Sequence, residues 1–154
     1  MTQTHENTPV IPTITGKSNI NAKPLPASVS GLVIVHAICL AGSFLLLFPA
    51  GVILLRFFGS VRFHWMLQVF ALCVCVLGLV IAIVFSVMDP EFSSFDSAHQ
   101  ILGIIAVVAL AVQAFLGYRH HHQYKKIGQR TWVSHSHIWV GRVVVILGMV
   151  NGIL

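Results

Sequence analysis

Four long apolar runs separated by short polar joints set the pattern of this chain: about Gly31 to Leu55, Phe63 to Met88, Ala98 to Tyr118 and His137 to Leu154. At ~1.5 Å per helical residue each is long enough to cross a hydrocarbon core of ~30 Å, the last only just. Ahead of them, residues 1–28 are polar and carry Pro9, Pro12, Pro24 and Pro26, which predicts a disordered tail with no apolar stretch to read as a cleavable signal. Ser28 or Ser30 can cap the first helix, and Pro49 bends it. Asp89-Pro90 stops the second, Ser97 with Gln100 forms a capping box for the third, and the fourth begins near Ser136.

The lanes on these helices are distinctive. At ~100° per residue, His99, Gly103, Ala106, Leu110, Gln113 and Gly117 fall on one face of the third helix. His64, Gln68, Ala71, Cys75, Gly78 and Ala82 share a face of the second, and His137, Gly141, Gly148 and Gly152 one of the fourth, with Val144 between. The first is weaker: His36 is followed by Leu40, Ser43, Leu47 and Ala50. Three helices therefore carry a histidine above a mainly small-residue lane, and the remaining one a histidine above a partial lane.

Composition supports a membrane reading. The chain has 154 residues, 56% hydrophobic and only 8% charged, with a mean hydropathy of +0.89, which a soluble domain of this length cannot hide from water. The fold class expected is an all-α membrane protein: an antiparallel four-transmembrane-helix bundle over residues 29–154, behind the tail. A net charge of +5 would suggest nucleic acid in a soluble protein, but the basic residues sit mostly in the joints. Arg56 and Arg62 flank the first joint and Arg119, Lys125, Lys126 and Arg130 occupy the third, whereas the second holds Asp89, Glu91 and Asp96. The positive-inside rule then puts the first and third joints in the cytoplasm and the N-terminus outside it, with Lys17 and Lys23 counting against. Trp132 and Trp139 suit the membrane boundary, and Arg142, pointing away from His137, suits snorkelling. Cys39, Cys73 and Cys75 lie within apolar runs and read as small core residues.

Helices joined by short connections alternate direction, so His36 and His99 share one side of the membrane and His64 and His137 the other. Each pair has the composition for bis-imidazole ligation of a haem iron. A flat macrocycle needs glycine or alanine where leucine would otherwise stand, and Gly103 and Gly141 put that gap one turn below His99 and His137. A single histidine near a helix end is more simply interfacial, and glycine stripes usually serve helix packing. Four histidines, one per helix and three of them above small lanes, favour ligation. His135 lacks a glycine four residues later, and His120, His121 and His122 read as a headgroup-facing joint.

The stretches Gly117-Tyr118-Arg119-His120-His121-His122 with Tyr124-Lys125-Lys126, His135-Ser136-His137-Ile138-Trp139-Val140-Gly141-Arg142 and Leu147-Gly148-Met149-Val150-Asn151-Gly152 resemble the cytochrome b561 family. The likeness is closest to the cytochrome b561/ferric reductase transmembrane domains of fungal membrane proteins. Phe48-Pro49-Ala50-Gly51 and Ser97-Ala98-His99-Gln100-Ile101-Leu102-Gly103 add to it. The resemblance implies a transmembrane electron carrier with two haem b groups, one near each face, each held by histidines of alternate helices. It further implies a cytoplasmic donor such as ascorbate and an acceptor such as ferric iron or an oxidised radical, hence an ascorbate-dependent or ferric-reductase type of oxidoreductase. Family members often carry an extracellular haem-binding (DOMON) domain and further helices after the four-helix core; neither is present here, so a minimal or truncated form is expected. Arg62, Lys125, Lys126 and Arg130 would supply a positive field for haem propionates or an anionic reductant, beside their role in topology. The expected partners are the bilayer and small-molecule redox agents, not nucleic acid, and a homodimer is left open. The competing reading is a non-redox structural or transport protein with interfacial histidines.

Overall fold

The computed structural model describes residues 27–89 and 92–154, and everything said below of what is present or absent refers to these. The expected tail lies outside them apart from Ala27 and Ser28, which are already helical. The molecule is an all-α, four-helix membrane protein, each span long and apolar enough to cross a bilayer.

The first span is α1 (Ala27–Gly42), a π-helical turn (Ser43–Leu47) and α2 (Phe48–Phe58) in continuous succession. Ser28 and Ser30 lie inside α1 and do not cap it. Pro49 has no N–H to bond the carbonyl one turn back, and the chain accommodates this by widening just before it: the Phe48 N–H reaches Ser43, five residues behind. Gly59, in the left-handed conformation at φ 64°, ends α2, and the Ser60 hydroxyl caps α3 (Val61–Met88) by accepting the Phe63 N–H. Asp89 leaves α3 in an extended conformation ahead of Pro90.

The Ser97/Gln100 capping box opens α4 (Ala98–Ile127) as the sequence predicts, but the helix continues to Ile127 instead of stopping at Tyr118. The hydrophobic run marks where the membrane ends, whereas the helix ends where Gly128 adopts φ 70°. The three-histidine run is therefore helical, not a joint. The fourth span, α5 (Trp132–Asn151), also starts earlier than predicted, because Ser134 Oγ accepts the Thr131 N–H at 3.1 Å; Ser136 lies inside it and His137 stands in its second turn.

Two hairpins result, the first span against α3 and α4 against α5, and they meet through α3 with α4 and the π turn with α5. Phe44, Phe48, Ala71, Cys75, Ala106, Leu110 and Val144 form the core at that junction. The Phe44 ring fills the notch left by Gly148, where any Cβ would overlap it. Leu110, from the His99 lane, belongs to this core. Of the cysteines only Cys75 is buried; Cys39 is half-buried, Cys73 is exposed and all three are unpaired thiols. The outer faces stay apolar, with Leu46 68% and Val87 80% exposed, a surface that only lipid covers at no cost.

Candidate functional site

Each of the four helix-head histidines is fastened through Nδ1 to the other helix of its own hairpin. His36 Nδ1 donates to the carbonyl of Gly78 in α3, and His64 Nδ1 to that of Gly51 in α2, both at 2.9 Å. In the second hairpin His99 Nδ1 donates to the Asn151 carbonyl at 2.9 Å, and His137 Nδ1 meets the Gln113 amide nitrogen at 2.9 Å. Gly78 and Asn151 stand the same number of residues past His64 and His137, so the two hairpins are laced alike. The Asn151 carbonyl belongs to the last turn of α5, where helix carbonyls lack intrahelical partners.

With Nδ1 engaged inside the hairpin, the ring edge bearing Nε2 is left for the other hairpin. No hydrogen bond among the described residues uses it. His36 and His99 come together, with ring centroids 6.2 Å apart and planes at 77°. His64 lies within electrostatic reach of His137. The Phe85 ring stands edge-on to His36 at 5.7 Å. His99 is exposed, and the other three rings are half-buried.

The glycines below these rings are not open gaps. A Cβ on Gly141 would strike the Gln113 amide, and one on Gly103 would press on the Asn151 amide at 3.2 Å. Gly51 is filled likewise by Gln68, and Gly78 by Leu40 and Cys39. The expected macrocycle spaces at Gly103 and Gly141 are therefore taken by side chains of the facing helix. Gly117 does seat a ring: its Cβ would lie 2.9 Å from His137 Cε1.

Several residues that pack around these rings had no role assigned to them from the sequence. His120 stacks on His137 with centroids 5.9 Å apart and planes at 18°, its Nδ1 2.7 Å from the buried Ser134 hydroxyl. Gln68 donates to the Phe48 carbonyl at 3.0 Å, close by the His64 seat. The buried Gln113 Oε1 and Asn151 Oδ1 have no hydrogen-bond partner, one beside each histidine pair. The available signal was an amide inside an apolar lane, costly to place there without a task. His135 is exposed, as are Arg62, Lys125, Lys126 and Arg130. The Arg142 guanidinium lies 4.9 Å over the Trp139 ring, on the outer surface.

Two imidazoles with unengaged Nε2 atoms, brought from opposite hairpins, form a donor set suited to haem iron. Three or more metal-ligating side chains converging on one point, as an ion site needs, do not occur among the described residues. A family model described as a domain of unknown function, DUF2427, matches residues 19–122. The chain belongs to the DUF2427 family. The DUF2427 match includes His36, His64, His99 and Gln113 and ends before His137. No curated protein and no solved structure matches the chain.

Proposed function

We propose that this chain is a cytochrome b561-like transmembrane electron carrier with two haem b groups, moving electrons from a cytoplasmic donor such as ascorbate to ferric iron or an oxidised radical on the other side. The observation that carries the reading is the close approach of His36 and His99 from opposite hairpins with their Nδ1 atoms turned away. Two imidazoles sharing one metal along a straight axis, with bonds of about 2.0–2.1 Å, have ring centroids roughly 6.3 Å apart. The spacing here is 6.2 Å.

His36 and His99 would hold one haem, and His64 and His137 the other. Bound haem supplies a one-electron Fe(III)/Fe(II) couple. The chain supplies orientation: an Nδ1–H bonded to a carbonyl fixes the ring and makes its Nε2 a more basic ligand. Phe44, Phe48, Leu110 and Val144 keep water from the space between the two pairs. The exposed Arg62, Lys125, Lys126 and Arg130 attract an anionic reductant, on the face the positive-inside rule assigns to the cytoplasm.

The filled glycine notches favour a second reading, a non-redox bundle in which small residues serve packing alone. Visible spectra of the purified chain, incubated with haem and then reduced with dithionite, separate the two. Sharp b-type bands at two haems per chain are expected; a featureless spectrum leaves the packing reading.

A further inference from the structure

Gln113 touches His137 twice with a single atom. Its amide nitrogen lies 2.8 Å from the His137 main-chain oxygen and 2.9 Å from Nδ1 of the same residue. A carbonyl oxygen only accepts, so the atom opposite it must be the NH2 group and not the amide oxygen. One hydrogen of that group goes to the carbonyl and the other to Nδ1, which accepts with its lone pair. The ring proton of neutral His137 is then on Nε2. The other three rings are set the opposite way. Nδ1 of His36, His64 and His99 faces a carbonyl oxygen at 2.9 Å, must itself carry the proton, and leaves the lone pair on Nε2.

We propose that Gln113 is a positioning residue that holds His137 in the tautomer opposite to the other three, making the two histidine pairs chemically unequal. His36 and His99 offer two lone pairs, an arrangement that repels until a Lewis acid sits between them. His64 and His137 offer one lone pair and one N–H, which do not oppose each other as two lone pairs do. For His137 to ligate through Nε2, its proton must move to Nδ1, a transfer within one ring that neither gains nor loses a proton. The Gln113 amide must turn as well, bringing Oε1, buried and unpartnered as it stands, onto the new Nδ1–H and giving up the bond to the His137 carbonyl. The ring has little freedom to evade this by flipping, since it lies between His120 and the Gly117 backbone. The tautomer stands on hydrogen bonds alone; its consequence, that the His36/His99 site fills first, rests on the haem reading above.

Two-bond 1H–15N correlation spectra of the haem-free, histidine-labelled chain in lipid nanodiscs test the tautomer directly. His36, His64 and His99 are expected on Nδ1–H and His137 on Nε2–H, with the His137 signal assigned by its loss in His137→Ala. Gln113→Glu is expected to move the His137 proton to Nδ1 above the pH at which its carboxyl ionises, since a carboxylate only accepts. Wild-type His137 found on Nδ1–H would overturn the proposal. In haem titrations the first equivalent should bind about tenfold more tightly than the second, the difference one lost hydrogen bond makes. His99→Ala should abolish the tight step, and Gln113→Glu should narrow the gap to about threefold or less. Equal wild-type affinities count against the proposal. An absence of haem uptake refutes the haem reading, and the nitrogen spectrum then decides the tautomer by itself.

Discussion

An imidazole reaches a carbonyl in the middle of a neighbouring helix more easily where that helix is thin, and this is what Gly51 and Gly78 provide. Their carbonyls accept from His64 and His36, and the notches beside them are closed by Gln68 and by Leu40 with Cys39. Gly78→Val should therefore destabilise the protein by about 1–3 kcal/mol through overpacking and unseat His36, read as a lower unfolding temperature in detergent. Gly31→Ala is the contrast: nothing lies near its added methyl group, and the better helix former should stabilise α1 by roughly 0.5–1 kcal/mol. Among the ligand candidates, His99→Ala should halve the haem content measured by pyridine hemochrome, whereas His135→Ala, exposed and bonded to neither pair, should leave it unchanged. The four histidines were legible because each heads a lane of fixed helical period. Gln113, Asn151 and His120 were not, since periodicity tells which face a residue occupies and nothing about what stands opposite it.

At the level of elements, boundaries followed local chemistry wherever a cap or a breaker announced them. Ser97 with Gln100 opened α4 as read, and Asp89-Pro90 closed α3. The ends that differed, at Ile127 and Trp132, are those where the membrane boundary and the helix boundary part company, because a polar helix can run on into water without any change in period. The π turn was visible only as a proline, since hydropathy cannot separate a bend from a widened turn. Because His99 sits in the first turn of α4, its position depends on that cap. Ser97→Ala should cost about 0.5–2 kcal/mol locally, and hydrogen exchange should speed up at the amides of the first turn while the α3 core amides stay protected.

The whole molecule is a four-helix membrane bundle, and so much was legible from hydropathy alone. Its orientation is an expectation from charge: six Arg and Lys residues in or beside the first and third joints, carboxylates in the second. Cysteines introduced one at a time in a cysteine-free background test it. Gln129→Cys should react with a membrane-impermeant maleimide only after permeabilisation, and Ser94→Cys should react on intact cells. How the spans pair was not written in the apolar pattern, because lipid-facing and partner-facing positions are both apolar and only contact separates them. The lacing of each ring within its own hairpin has one further consequence. None of the hydrogen bonds that seat these rings and the amides beside them crosses from the first hairpin to the second. The halves are two clasps that meet through an apolar core, and acyl chains can stand in for most of what they lose on parting. A flat, greasy guest could thus slip in sideways from the bilayer without undoing a single knot that keeps the rings in place.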